Sequence, residues 1–297
     1  MSIVRRDYSG PADLRRMQQL VSDLWSLDAN WHVGDLAWGR YMHAGREAEW
    51  STALWEADPP ATGGGELLGW GWVRRPGYLT FTCRPEYPEV ADAIIAWFLN
   101  SAPAATELTS DVMVEPVLAA ALERAGFAPI EDPDALVRLV LPLADLPPAS
   151  PPDGWRVRPV TAADLAERVA VHQAAWAPSR LTEESYANVM AAWPYRPELD
   201  WVAEGPDGRF GANCLIWLDE ATGVGELEPV GTRPELRRLG LARATCLGAL
   251  HALRDLGARQ AVVLSHDRPD QPGALSLYQA LGFREHSRTR TYRLIRG

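Results

Sequence analysis

Residues 230–244 read VGTRPELRRLGLARA. The run begins at the end of an expected strand, Gly225 to Val230, crosses a Pro-containing turn, and opens an expected helix from Leu239 to Leu256. Leu241, Ala244, Leu247, Leu250 and Leu253 make one apolar face on that helix, and Gly257 is placed to stop it. In the first turn of a helix the N–H groups have no internal partner, and the helix dipole adds positive potential there. Gly240 and Ala242 carry no bulky side chain, so a diphosphate can approach the backbone closely. Arg233, Arg237, Arg238 and Arg243 concentrate cations in this one stretch of a chain whose net charge is −10. The combination predicts a phosphate cradle.

Working outward, the same order of elements occurs twice. Pro11-Ala12-Asp13-Leu14 returns as Ala162-Ala163-Asp164-Leu165, and Arg84-Pro85-Glu86 as Arg233-Pro234-Glu235. Gly126-Phe127 returns as Gly282-Phe283, and Val137-Arg138-Leu139 corresponds to Tyr292-Arg293-Leu294. The offsets lie between 149 and 156 residues, and four matches in order at near-constant spacing point to duplication. Leu143 to Gly154 (LADLPPASPPDG) holds four prolines, which stiffen a spacer and end regular structure. The expected division is therefore 1–145, a Pro-rich linker 146–154, and 155–297. In the second half the pattern predicts a strand at Trp155 to Val160 and helices from Thr161 or Asp164 to about Trp176 and over Glu183 to Ala192. A hairpin of Asp200 to Glu204 and Phe210 to Leu218 turns at Gly205-Pro206-Asp207-Gly208. The buried-strand run Ala261 to Ser265 and a short helix, Gly273 to Leu281, complete a mixed α+β domain.

With these residues in view, the chain resembles the GNAT superfamily of acyl-CoA-dependent N-acyltransferases. Arg237, Gly240 and Ala242 match the family pattern Arg/Gln-x-x-Gly-x-Gly/Ala, and Glu226 to Thr232 (ELEPVGT) is similar to the strand that precedes it. Ala274, Leu277, Tyr278, Gly282 and Phe283 match a later family segment, in which Gln271 stands where the family has Asn. The resemblance implies two tandem GNAT-like folds, each a mixed, mostly antiparallel sheet flanked by helices. It also implies acetyl-CoA as co-substrate: backbone at Val230, Gly231 and Thr232 pairing with pantetheine, amides of Arg238, Leu239, Gly240, Leu241 and Ala242 on the pyrophosphate, and contacts from Arg237, Gln271 and Ala274. Tyr278 is then the acid that protonates the departing thiolate. A thiol of pKa ~8.5 is within reach of a phenol, and a water is the alternative donor.

Each residue also has a plainer reading. Tyr278 also has a plainer reading as a core aromatic packing on Leu281. Glu226 and Glu228 alternate with Leu227, so both face one side of the sheet, either as the base that deprotonates an incoming ammonium or as salt-bridged carboxylates. His266 and Asp267, after the Ala261 to Ser265 strand, are a second candidate base or a polar loop. The first half keeps the skeleton without the chemistry. Phe81 to Asp92 has no Arg-x-x-Gly-x-Gly, Glu89 and Asp92 put negative charge where a diphosphate sits, and Leu122 stands four before Gly126 in place of the tyrosine. It is expected to be a degenerate copy that shapes the acceptor site of its sibling.

Composition bounds the rest. Twenty-nine Lys and Arg against thirty-nine Asp and Glu disfavour a nucleic-acid partner. No apolar run approaches the ~20 residues of a bilayer span, so the expectation is a cytoplasmic protein without a membrane partner. Three cysteines form no CxxC or Cys/His cluster, which leaves no expected metal site, and Cys214 and Cys246 read as core residues. Thirteen tryptophans, among them Trp50, Trp55, Trp70 and Trp72, suggest large aromatic cores. The functional expectation is direct transfer of an acetyl group to a primary amine of a small molecule, by a monomer with pseudo-dimeric halves or a homodimer. The tandem architecture also resembles acyltransferases of the mycothiol-synthase type, which acetylate a cysteinyl pseudodisaccharide amine. A non-catalytic CoA-binding or regulatory module is the remaining alternative.

Overall fold

The computed structural model describes residues 2–57, 65–74, 76–267 and 273–296. In chain order the first elements are β1 (Ile3–Asp7), α1 (Pro11–Asp23), α2 (Val33–Tyr41), β2 (Trp50–Ala57), β3 (Leu67–Arg74), β4 (Tyr78–Cys83), α3 (Pro88–Ser101), β5 (Glu107–Val112), α4 (Pro116–Arg124) and β6 (Ala128–Ile130). Then come β7 (Leu136–Pro142), β8 (Arg156–Pro159), α5 (Leu165–Ala175), α6 (Glu183–Ala191), β9 (Asp200–Glu204), β10 (Phe210–Asp219) and β11 (Val224–Thr232). The chain ends with α7 (Leu241–Asp255), β12 (Gln260–His266), α8 (Gly273–Ala280), β13 (Arg284–Arg288) and β14 (Arg290–Ile295). The α+β class and the duplicated order of elements match the expectation.

The division between units does not. One compact unit is Met1–His32, Gly45–Leu136 and Ser287–Gly297, and the other is Val33–Ala44 and Val137–His286. The sheets explain why. The first runs β1-β2-β3-β4-β5-β14-β6 and the second β13-β7-β12-β11-β10-β9-β8. The equivalent strands of the two repeats, β7 and β14, are each built into the sheet of the other half. Val137, Leu139 and Leu141 of β7 sit in the second unit's core, and Tyr292 of β14 in the first unit's. The stretch 146–154 is no free spacer either: Leu146 and Ala149 pack on the second core and the Pro147 carbonyl meets His251 Nε2 at 2.9 Å. Strand exchange leaves hydrophobic period and turn chemistry unchanged, which is why sequence patterning misses it.

β14 pairs antiparallel with β5 on one side, Tyr292 opposite Ser110, and with β6 on the other, Tyr292 opposite Pro129. Deleting residues 289–297 therefore opens the first sheet in its interior. The expected result is loss of cooperative thermal unfolding and rapid proteolysis within residues 45–136; an unaltered transition would show that the exchanged strand is dispensable.

In the second unit the sheet is clothed on both faces. Cys214, Ile216 and Leu218 of β10 meet α7 through Cys246, Leu247 and Leu250, while Leu215 and Trp217 meet α2, α5 and α6 through Trp38, Val169 and Tyr186. Alternation along β10 thus assigns each residue to a face. Asp164 Oδ2 accepts from the Thr161 N–H at 2.7 Å and from Arg158 Nη1 at 2.7 Å, which fixes the turn leading into α5.

Candidate active site

The parallel pairing of β11 with β12 runs from Val224↔Gln260 to Glu226↔Val262 and then stops, although both strands continue. On its other side β11 stays paired with β10, with one extra β11 residue between Leu227↔Ile216 and Val230↔Cys214. This bulge at Glu228-Pro229 bends β11 away from β12. The β12-facing edge at Val230, Gly231 and Thr232 is a row of backbone groups with no strand opposite, a template for an extended ligand that carries amides.

From that edge the chain enters residues 233–240. Arg238 (φ 67°) and Gly240 (φ 83°) adopt left-handed backbone conformations, the geometry that lines successive N–H groups around a concavity. Gly240 is the N-cap of α7, so glycine is required here by the backbone as well as by close approach. Arg237, Arg238, Leu239 and Gly240 are exposed, Leu241 is buried under the helix, and Ala242 is half-buried. The side chains of Arg237, Arg238 and Arg243 have no ion-pair partner among the described residues. Arg233 departs from the sequence reading. It is buried, donates from Nε to the Phe210 carbonyl at 2.7 Å and pairs with Glu167 at 2.9 Å, so it holds the loop's base and adds no free cation to it.

Glu226 is fully buried and Glu228 half-buried on the same strand. Burial, Glu226 and Asp35 of α2 together push the Glu228 carboxyl up to about 8. The Glu228 carbonyl accepts from Trp217 Nε1 at 2.7 Å, which pins the bulge. Asp35 belongs to a segment of the first half of the sequence that is built into the second unit. Nothing in its local pattern signals that placement.

Tyr278, on α8, is buried with its ring edge-on to Phe283 at 5.8 Å. Leu281 shares its core, as the plainer reading required. The hydroxyl has no hydrogen-bond partner among the described residues. Burial, Cys246, Cys214 and the Glu228 carboxylate all raise its pKa, so the phenol remains protonated throughout the neutral range. Ala274 is exposed on the first turn of α8; Gln271 lies outside the described residues. His266 is exposed at the end of β12, and Cys214 and Cys246 are free and fully buried.

The equivalent place in the first unit is arranged differently. β4 and β5 pair only at Tyr78↔Thr109 and Leu79↔Ser110. Beyond that point, Trp31 Nε1 donates to the Phe81 carbonyl at 3.0 Å, and Asn30 Nδ2 donates to the Asp111 carbonyl at 2.9 Å. Asn30 Oδ1 also accepts from the Met113 N–H. The chain's own residues thus bond to both strands where they part. The β4–α3 turn holds no cradle: Pro88 opens α3 without an N–H, Glu89 follows, and Arg84 is tied to Asp23 and Glu66.

Among the described residues no group of three or more His, Cys, Asp or Glu could hold a metal ion, and no helix is long and apolar enough to cross a membrane. A family profile described as Acetyltransferase (GNAT) family matches residues 168–283. A mycothiol acetyltransferase of Pseudarthrobacter chlorophenolicus is 30% identical over 82% of this chain and 80% of its own length. That of Tsukamurella paurometabola is 34% identical over 57% of this chain and 61% of its own. Among solved structures, a tandem GNAT protein from the clavulanic acid biosynthesis pathway covers 100% of this chain and 99% of its own at TM-score 0.67 and 16% identity. A GCN5-related N-acetyltransferase from Sphaerobacter thermophilus covers 99% and 95% at TM-score 0.61 and 21% identity. At those identities the structures speak to fold alone. With a relative of 30% identity aligned over 82% of this chain and 80% of its own length, the chain belongs to the GNAT acetyltransferase family, with two repeats of that fold.

Proposed function

We propose that the second unit transfers an acetyl group from acetyl-CoA to a primary amine of a small molecule. The observation that carries this is the convergence, at the open β11 edge, of a carboxyl held well above its ordinary range (Glu228) and a hydroxyl without a partner among the described residues (Tyr278), whose titration the Glu228 carboxylate raises. Val230, Gly231 and Thr232 offer the edge for the pantetheine amides, and the N–H groups of residues 238–242, with Arg237 and Arg238, receive the diphosphate. Glu228 takes a proton from the acceptor's ammonium, and Glu226 and Asp35 add negative charge that favours a cationic amine. As the nitrogen–carbon bond forms and the carbon–sulfur bond breaks, Tyr278 donates its proton to the leaving sulfur. Thiol release with a panel of primary amines and acetyl-CoA tests the reading; release matched by acylated amine is expected, and none with any amine would refute it. The two-repeat alignment to a mycothiol acetyltransferase favours a second reading, in which the acceptor is the amine of a cysteinyl pseudodisaccharide.

Two further outcomes follow. Calorimetry should give one CoA per chain, because Asn30 and Trp31 bond across the parting strands of the first unit; two equivalent sites would contradict this. Gly240→Asp meets no atom within 4 Å of its new Cβ, so the fold tolerates it at a cost of about 1–2 kcal/mol for the left-handed backbone. Its carboxylate faces the diphosphate, and a loss of CoA affinity of about 100-fold is expected.

A further inference from the structure

On the α5 side of the second sheet, three buried side chains leave five polar atoms without a hydrogen-bond partner among the described residues. They are Arg168 Nη1 and Nη2, His172 Nδ1, and Asn213 Nδ2 and Oδ1. All three residues are at least 97% buried. Buried polar groups nearly always have partners, and five orphaned atoms in one layer call for a polar occupant.

Register and helix spacing bring them together. Asn213 on β10 lies opposite Gly231 on β11 and Val202 on β9. A Cβ at Gly231 would come within 3.1 Å of Asn213 Nδ2 and of Trp176 Nε1, and 2.8 Å from Ala175. The end of α5 therefore lies over Gly231 and Asn213. Arg168, His172 and Trp176 follow at intervals of four, so they line one face of that helix. Arg168 Nε bonds Asp200 Oδ1 at 2.9 Å, and Asp200 is opposite Leu215, two residues along β10 from Asn213 on the same face. His172 stacks on Trp176 at 6.2 Å and stands edge-on to Trp38 at 5.4 Å. Trp176 is about half exposed, which leaves this layer a border with solvent. Glu226, opposite Trp217, shares the face.

The chemistry of the occupant follows from the donor set. Tyr186 and Tyr195 donate to Asp200 Oδ2, so Asp200 already balances the Arg168 charge and its oxygens are taken. His172 is kept neutral, its pKa pushed down to about 3 by burial, Arg168 and His43. The Arg168 and Asp200 charges cancel, and with Glu226 already on this face the remaining N–H donors suit uncharged oxygen atoms and not a second anion.

We infer that Arg168, His172 and Asn213 form a specificity site that holds hydroxyl or amide oxygens of the acceptor amine, beside the carboxylates that meet its nitrogen. The assignment rests on the amine-transfer reading above.

Asn213→Leu keeps the volume and deletes both amide atoms, and His172→Phe keeps the aromatic stack and deletes the nitrogens. The probes are three pairs of primary amines that differ in hydroxyl content: glucosamine with cyclohexylamine, serinol with isopropylamine, and ethanolamine with propylamine. In each variant the ratio of kcat/KM for the hydroxylated amine over its partner should fall at least about tenfold in one or more pairs. CoA affinity should stay within about twofold. Because orphaned polar atoms are removed, Tm should hold or rise by about 2 °C. An unchanged ratio with both amines turned over, or a Tm lowered in both variants, would reduce the cluster to internal structure. Lost CoA affinity would place the oxygens on the pantetheine arm instead. No thiol release by the wild type with any probe would overturn the transfer reading, and the acceptor assignment with it.

Discussion

Tyr278→Phe lowers kcat by ~10² to 10⁴-fold while leaving CoA affinity and Tm nearly unchanged, the expected signature of a positioned acid. The ring is what the core uses: it lies against Phe283 in the cluster that holds Leu281, Cys214 and Cys246, and phenylalanine keeps those contacts. Among the described residues the hydroxyl bonds no protein group, so its removal strands no partner there, and the substitution costs little stability. Its pKa is raised, which makes it a poor anion and a dependable donor at neutral pH. In a buried site a single aimed donor is worth far more than in water. The deficit should shrink for an acyl donor with a more acidic leaving group, because that sulfur needs less proton donation. Equal kcat for the two proteins, with chemistry rate-limiting, would remove Tyr278 from the mechanism and leave a water as the donor.

The turn proposed as the cradle was legible because it is local. A strand end, a proline turn, glycine at a helix start and a run of arginines all fall within fifteen residues, and backbone conformation follows from such a run. The exception inside it, Arg233, needed the fold: only the approach of Glu167 and the Phe210 carbonyl shows that its charge is already committed. Tyr278 was legible as a position, and its two readings are separated by the Phe substitution, because the ring packs in the core while the hydroxyl has no partner among the described residues. Asp35, Arg168, His172 and Asn213 carried no signal at all. They lie on three elements, one from the first half of the sequence, and they meet only because α2 and α5 lie on the same face of β10 and β11. The exchange of β7 and β14 was hidden for a related reason: duplicated strands of like pattern fit either sheet, and connectivity decides between them.

The base role proposed for Glu228 ties turnover to stability, and both readouts of Glu228→Gln have a definite sign. At a pKa of about 8, roughly a tenth of the wild-type carboxyl is ionised at pH 7, so base-assisted turnover should climb to a plateau above pH 8. The Gln variant keeps the shape and loses the base. Its kcat/KM should fall by ~10² to 10³-fold near pH 8, without the inflection, and rise at higher pH only as free amine increases. Stability runs the other way. The folded-state pKa is raised above the ordinary 4.5, so below pH 4.5 both states hold the proton and no penalty exists. Between pH 4.5 and 8 the unfolded chain loses its proton first, and the folded protein loses stability as the pH rises through that window. The variant has no proton to lose there. Its Tm should match wild type below pH 4.5 and exceed it by several degrees at pH 8.5, the excess reflecting first the burial of the ionised carboxylate and then the like charges of Glu226 and Asp35. Parallel Tm curves would mean that Glu228 titrates as an ordinary surface acid. A base of ordinary pKa would already be ionised at pH 7, and the rate would then show no climb toward pH 8.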